Sequence, residues 1–165
     1  MGLVITIIKE ILSDKINDAN DIRELDIEVL ADLSREKSGE LAKIKRKIDN
    51  ISLENIIGIT PLESSKREMS ISNDLAKIID AKVIDARKTR ENFADFESEM
   101  ARELKDYRNI IFEEKSANDP ISIDLAKYED YKILLVDKKS HKNDLIGQVD
   151  EYKRLGIELL GVIYY

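Results

Sequence analysis

The sequence predicts an α/β domain with a mainly parallel sheet of about six strands. Several short apolar runs are continuous rather than alternating, as in 110–112 and 133–136. Continuous runs of this length are typical of strands that are buried on both faces, as in parallel sheets. Segments with helical periodicity separate most of the runs, which indicates right-handed strand–helix–strand units. The predicted strands are 27–33, 55–60, 82–85, 109–113, 131–136 and 157–164, with 55–60 in the centre of the sheet.

The helices between these strands are predicted from apolar residues that recur every three or four positions. The clearest helix spans 141–155, with Ser140 placed to cap its start and Gly156 placed to end it. Within residues 1–25 the sequence predicts an amphipathic helix with the apolar residues Ile5, Ile8, Leu12 and Ile16, followed by a polar turn. Three further helices are centred on the apolar sets Leu41, Ile44 and Ile48; Leu75, Ile78 and Ile79; and Phe93, Phe96, Met100 and Leu104.

Composition and charge narrow the class of protein. A length of 165 residues fits one domain with a substantial core. The net charge of -7 argues against a nucleic-acid partner, because such partners favour a basic surface. The absence of cysteine excludes disulfides and thiolate metal sites and fits a reducing cytoplasm. No run of about 18 apolar residues is present, so we expect no membrane span within this chain.

The stretch from the end of the second predicted strand into the following helix resembles a known protein family. It runs from Gly58 through Thr60 and Ser70 to Leu75-Ala76. This stretch resembles the phosphate-binding loop of the bacterial protein-tyrosine kinases of capsule and exopolysaccharide synthesis. Those kinases belong to the deviant Walker A group, together with MinD and ParA. The stretches 83–87, 107–113, 125–136 and 155–163 are similar to later elements of the same family.

The resemblance implies a three-layer, Rossmann-like P-loop NTPase fold. It also implies a domain division, because residues 20–33 are similar to the segment that joins a membrane-anchored chain-length protein to its kinase. We therefore expect a juxtamembrane-like helix and linker over 1–25 and a kinase-like domain over 26–165. The resemblance places this domain in the cytoplasm, at the inner face of the membrane through an upstream transmembrane segment.

The residues that would bind nucleotide are replaced in this sequence. A phosphate-binding loop needs glycines, whose backbone amides surround the phosphates, and a lysine that meets their charge. Ser65 and Arg67 stand at the two glycine positions, and Glu68 stands at the lysine position. The positions that complete the degenerate site are Ser70, which keeps its hydroxyl, Asp85, which keeps its carboxylate, Arg87, which replaces an aspartate, and Glu113, which also replaces an aspartate. We therefore expect no catalytic residue, no cofactor and no metal.

A possible assembly motif is retained while the nucleotide elements are lost. Family members carry a Glu-x-x-Arg-x-x-Arg motif that helps subunits associate, and this chain has Glu40, Lys43 and Arg46 at the corresponding spacing. Residues at this spacing project from one broad side of a helix. A chance match on the polar side of a charged helix is an equally open interpretation.

The sequence thus favours a non-catalytic, pseudokinase-like scaffold or regulatory domain in polysaccharide biosynthesis and chain-length control. Its expected partners are further copies of itself and the membrane proteins of polysaccharide assembly. Two alternatives stay open. One is an autophosphorylating tyrosine kinase with an atypical ATP site, and the other is a positioning protein of the MinD and ParA type.

Overall fold

The computed structural model describes residues 14–52, 54–63, 68–87 and 93–165. Strands and helices alternate along nearly the whole described chain. In chain order the elements are α1 (Ala19–Arg23), β1 (Val29–Asp32), α2 (Lys37–Ile51), β2 (Asn55–Pro61), α3 (Glu68–Ile79), β3 (Ala81–Asp85), α4 (Phe93–Glu103), β4 (Asn109–Glu113), α5 (Pro120–Leu125) with a following 3₁₀ turn (Ala126–Tyr128), β5 (Tyr131–Val136), α6 (Lys142–Leu155) and β6 (Leu159–Tyr164).

The six strands form one sheet in the order β1-β6-β5-β2-β4-β3, and every neighbouring pair is parallel. The predicted α/β fold with a mainly parallel sheet of about six strands is therefore confirmed, and β2 is central as expected. All strand–helix–strand connections bring the carboxyl ends of the strands to the same edge. In open parallel sheets this edge is where ligands bind.

Helices cover both faces of the sheet, which gives three layers. On one face α2 and α3 contribute Leu41, Ile44, Ile71 and Leu75 to an aliphatic core. The second face carries two hydrophobic clusters. Helices α1 and α6 contribute to one of them, and α4 and α5 contribute to the other. Because successive side chains of a strand point to opposite faces, each central strand supplies both cores.

Two local predictions are wrong. Ser140 does not cap α6, because its hydroxyl donates instead to Asp137 Oδ1 at 3.2 Å and closes the turn before the helix. Ile16 is not helical: Lys15 forms an antiparallel bridge with His141, and Ile16 packs fully buried beside α6. Gly156 ends α6 with a φ of 71°, as predicted.

Two short helices were not predicted. Helix α1 begins after Asp18, whose carboxylate accepts hydrogen bonds from the amides of Asn20 and Asp21. Helix α5 begins after Asp119, whose carboxylate accepts from the amide of Ile121. Both helices are too short for apolar periodicity to be visible, so only their capping residues mark them.

Residues 14–25 pack against the sheet. Tyr164 donates a hydrogen bond to the carbonyl of Asn17 at 2.8 Å, and Lys142 donates to Asp21 at 2.8 Å. The boundary between 25 and 26 stays a prediction, and Ile5, Ile8 and Leu12 of the proposed amphipathic helix lie outside the described residues. No helix in the described ranges is long and apolar enough to cross a membrane.

Candidate functional site

Three of the predicted site residues meet at the carboxyl edge of the sheet. Asp85 ends β3 and Glu113 ends β4, and the two are paired in the strand register. The guanidinium of Arg87 donates to both carboxylate oxygens of Asp85, each at 2.9 Å. Its Nη1 lies 3.6 Å from Glu113 Oε1. Arg87 therefore bridges the two acidic groups that the resemblance assigns to separate nucleotide-binding elements.

Burial and charge act in opposite directions on Glu113. The side chain is buried, and loss of hydration raises its pKa above the ordinary value. The Arg87 guanidinium opposes that rise, and the carboxylate of Asp85 adds to it. The positive charge of Arg87 thus offsets the repulsion between the carboxylates of Asp85 and Glu113 at this edge.

The loop half of the predicted site is only partly described. Ser65 and Arg67 lie outside the described residues, and so does the side chain of Glu68, although Glu68 begins α3. Ser70 lies in the first turn of α3 and is exposed. Glu113 and Asp85 face the α2 and α3 side of the sheet, the same side as Ile111 and Val83.

A second charged group, which was not predicted, lies on the opposite face of the sheet. Lys132 in β5 is completely buried, and its ammonium lies 2.7 Å from each carboxylate oxygen of Glu114. The same ammonium lies 2.9 Å from Glu129 Oε2. Thr60 of β2 donates its hydroxyl proton to Glu114. We call Glu114, Glu129 and Lys132 the buried ionic trio.

The trio holds one cation and two acids, so its charge depends on Glu129. Burial raises the pKa of Glu129 well above its ordinary value, the neighbouring Glu114 raises it further, and Lys132 opposes the rise. With a proton on Glu129, the trio is neutral, which is the form that a buried site favours.

Gly58 makes room for this arrangement. A Cβ atom at Gly58 would lie 2.5 Å from Glu129 Oε2, so no larger residue fits while Glu129 points inward. Gly58 therefore has a packing role in the centre of β2. The resemblance had treated it only as the start of the phosphate-binding stretch.

One sequence signal pointed to the trio. Lys132 interrupts the otherwise apolar run of β5, and a buried lysine requires an acidic partner. The partner could not be identified from the sequence, because Glu114 follows a different strand. Tertiary contact between β2, β4 and β5 selects it.

The predicted assembly residues lie on α2. Glu40 accepts a hydrogen bond from the backbone amide of Asp32 at 2.9 Å and pairs with Lys43. The bond from Lys43, followed by that from the Asp32 amide, lowers the pKa of Glu40. Arg46 is exposed, and its side chain has no partner within the described ranges. Glu40 thus has an intramolecular role at the end of β1, whereas Arg46 points away from the fold.

Searches of solved structures find close fold matches. A chain described as the chimerical protein CapA2B2 superposes with a TM-score of 0.71 at 13% identity, covering 89% of this chain and 97% of that one. The kinase domain of the Escherichia coli tyrosine kinase ETK gives a TM-score of 0.67 at 11% identity, covering 87% and 91%. The BceF tyrosine kinase domain gives 0.66 at 10% identity, covering 91% and 98%. This chain has the fold of a bacterial tyrosine kinase domain.

At 10–13% identity the likeness establishes the fold and not the chemistry. No family model and no curated protein matches the sequence. The fold prediction from the resemblance is nevertheless confirmed, because kinase domains of the predicted family match this chain over most of both lengths.

Kinases use a magnesium-bound nucleotide, and the edge residues of this kinase-like fold do not fit that ion. Magnesium is held by carboxylates and phosphate oxygens in an octahedral arrangement. Here the oxygens of Asp85 are already engaged by the Arg87 guanidinium, whose positive charge repels a second cation. Among the described residues, no group of three or more histidine or acidic side chains is placed to hold a metal ion.

Proposed function

We propose that this kinase-like domain is a non-catalytic scaffold or regulatory domain in capsular or exopolysaccharide biosynthesis and chain-length control. The observation that carries the proposal is the Arg87 guanidinium between Asp85 and Glu113. A cationic side chain occupies the space between the two acids to which the resemblance assigns work on the metal–nucleotide complex. The domain keeps the fold and lacks the charge pattern that phosphoryl transfer needs.

The sequence of the loop supports the same conclusion. Glu68 stands where the resemblance expects a lysine, and a carboxylate at that position repels a triphosphate. Charge complementarity to a nucleotide is lost at the loop and at β3, and at β4 the longer Glu113 replaces an aspartate. Three separate elements of the nucleotide site therefore depart from the family pattern. A scaffold tolerates these losses because its contacts lie elsewhere.

The polysaccharide assignment rests on the resemblance of 58–76 and the later stretches, together with the fold likeness to tyrosine kinase domains. We extend the proposal to the binding partners of the domain and to its location in the cell. The domain associates with further copies of itself and with membrane proteins of polysaccharide assembly, on the cytoplasmic side of the membrane. A transmembrane segment upstream in the natural protein would hold it there, and residues 1–25 would form the junction.

Thermal unfolding with and without magnesium and ATP tests the proposal. Ligand stabilisation follows RT ln(1 + [L]/Kd), so a ligand at ten times its Kd adds about 1.4 kcal/mol. We expect no rise in melting temperature at millimolar ATP and no phosphotyrosine after incubation. A catalytically competent kinase domain of the same fold, measured in parallel, provides the positive control.

A clear thermal shift together with phosphotyrosine would overturn the proposal in favour of a kinase with an atypical site. A shift without phosphotyrosine would support nucleotide-controlled positioning instead. The Arg87→Ala variant is measured beside the parent chain. If Arg87 blocks the ion, magnesium alone stabilises the variant and leaves the parent unchanged.

A further inference from the structure

The buried ionic trio contains two acids and one cation. Lys132 contacts both Glu114 and Glu129, and the side chains of all three are at most 1% exposed. Lys132 neutralises one carboxylate. The second acid must then carry a proton or leave the interior, because an uncompensated charge is costly in a buried site. The trio therefore stays closed only while it holds one proton.

The contacts identify Glu129 as the acid that holds this proton. Glu114 accepts from the Lys132 ammonium at both of its oxygens, each at 2.7 Å, and it also accepts from the Thr60 hydroxyl. Glu129 has the ammonium at one oxygen, at 2.9 Å. Burial is the largest cause of the raised pKa of Glu129, and the charge of Glu114 and a hydrogen bond between the two carboxyl groups also raise it. That hydrogen bond requires a proton, which Glu129 donates to the ionised Glu114.

The backbone of Glu129 lies outside the sheet, unlike that of Lys132. Glu129 follows the 3₁₀ turn Ala126–Tyr128 and precedes β5. Lys132 lies within β5 and is paired with β2 on one side and with β6 on the other. The segment that carries Glu129 is therefore 126–130, between the fully buried Leu125 and the start of β5.

The 126–130 segment is fixed to the edge of β2 at its last residue. The amide of Asp130 donates to the carbonyl of Ile56 at 2.8 Å, and the amide of Ile56 donates to the Asp130 carboxylate at 2.8 Å. Tyr128 is half-buried, and Lys127 and Asp130 are exposed. Segments whose backbone hydrogen bonds lie near solvent are the ones that open locally, at a lower free energy than global unfolding.

Glu129 has no room to turn away from the trio while this segment stays in place. Its carboxyl group lies against the backbone of Gly58, so close that a Cβ atom there would overlap with it. Tyr152 of α6 also faces it, and the pKa of Tyr152 is raised by burial and then by Glu114 and Glu129. A neutral tyrosine supplies no counter-charge. Among the described residues, the ionisable groups that face Glu129 are thus Glu114, Lys132 and Tyr152.

We propose that Glu129 is a proton-controlled latch, which holds the 126–130 segment on the sheet when protonated and leaves the core with that segment when ionised. Opening releases one proton to solvent and moves the Glu129 carboxylate into water. The neutral pair of Glu114 and Lys132 stays inside. Because the closed form binds one proton more than the open form, rising pH favours opening. The latch lies on the face opposite Arg87 and needs no nucleotide.

Amide hydrogen exchange of the full chain, followed by two-dimensional NMR over a pH series, tests the proposal. Protection is expressed relative to the intrinsic exchange rate of each amide at the same pH. We expect protection of the Ile56 and Asp130 amides to fall by up to about tenfold for each pH unit above 4.5, until the pKa of Glu129 in the closed form is passed. At each pH these two amides should be less protected than the amide of Val162, which is bound to the Glu28 carbonyl in the sheet.

Variants assign the effect to Glu129. Glu129→Gln keeps the size of the side chain and removes its ionisation, so protection of the Ile56 and Asp130 amides should lose this dependence on pH. Asp124→Asn is the matched control, because Asp124 is an exposed acid on α5 outside the trio, and it should behave as the parent does. Gly58→Ala crowds the closed position of Glu129 and should lower the protection of both amides at every pH.

Carbon-13 NMR of the glutamate carboxyl groups supplies a second readout. The parent should show a glutamate that titrates above its ordinary range and is missing from the spectrum of Glu129→Gln. The proposal is overturned if Glu129 titrates at its ordinary value, or if the parent and Glu129→Gln show the same dependence of exchange on pH. It is also overturned if the Ile56 and Asp130 amides are as protected as that of Val162, because their exchange would then require global unfolding.

Discussion

The ammonium group of Lys132 lies 2.7 Å from both carboxylate oxygens of Glu114, and both side chains are buried at the centre of the sheet. This pair joins β5 to the end of β4. Burying two charges is costly, and removing one of them leaves the other without compensation. The interior of this protein therefore depends on a charged contact as well as on aliphatic packing.

Lys132→Met should destabilise the domain by roughly 3–5 kcal/mol, because Glu114 loses its counter-charge in a buried site. Urea denaturation followed by circular dichroism measures the change. Lys139→Met is the control, since Lys139 is exposed, and surface changes are usually within about 0.5 kcal/mol. The double variant Lys132→Met, Glu114→Gln should recover much of the lost stability. A double variant as unstable as the single one would contradict the ion-pair explanation.

Glu129 should make stability fall as pH rises. Its pKa in the folded protein is raised above the ordinary 4.5, so between these two values the folded state holds a proton that the unfolded state has released. The free energy of unfolding must then decrease with rising pH across that interval. Glu113, whose pKa is also raised, contributes with the same sign.

Comparison of the parent chain with Glu129→Gln isolates the contribution of Glu129. The glutamine does not titrate. The free energy of unfolding of the variant, relative to that of the parent, should therefore rise by up to about 1.4 kcal/mol for each pH unit above 4.5, until the pH passes the pKa of Glu129 in the folded parent. Denaturant unfolding at a series of pH values gives both curves. Parallel curves would show that Glu129 has the same pKa in both states.

Gly58→Ala should destabilise the domain by roughly 1–3 kcal/mol, because the new methyl group would meet the Glu129 carboxyl. The same substitution should cost much less in a Glu129→Ala background, where the space is empty. Thermal or urea unfolding of the four proteins of this double-mutant cycle gives the coupling directly. Additive effects would mean that Gly58 is required for another reason.

Self-association through α2 should depend on Arg46. This side chain is exposed and has no partner in the described part of the chain, whereas Glu40 already binds the Asp32 amide and is a poor test residue. Each exposed charge contact contributes on the order of 0–1 kcal/mol and is screened by salt. Sedimentation at high protein concentration and low salt should therefore show association of the parent chain and not of Arg46→Ala.

Arg108→Ala is the matched control for that experiment. Arg108 is likewise exposed and without a partner among the described residues, and it directly precedes β4. It should associate as the parent does. If the Arg46 and Arg108 variants associate equally, the match of Glu40, Lys43 and Arg46 to the family's assembly motif is a coincidence.

Most of the fold could be predicted from local patterns. The runs at 109–113 and 131–136 form β4 and β5 with the predicted bounds, and the helix predicted over 141–155 begins one residue later and ends as predicted. These elements could be predicted because burial of a strand or of one helix face produces a continuous apolar run or an apolar repeat of 3.6 residues in the sequence. Short α1 and α5 were not visible, since six or fewer residues leave no periodic signal.

The order of strands and helices along the chain, their mainly parallel arrangement and the replacement of the nucleotide-binding residues could all be predicted from the amino-acid sequence. Those features lie in consecutive residues and their spacing. The contacts of Arg87 with Asp85 and Glu113, and the pairing of Lys132 with Glu114, became known only from the assembled fold. These contacts join residues from different strands and helices. Their energies depend on the burial and distances that the assembled sheet creates, and no local pattern in the chain encodes them.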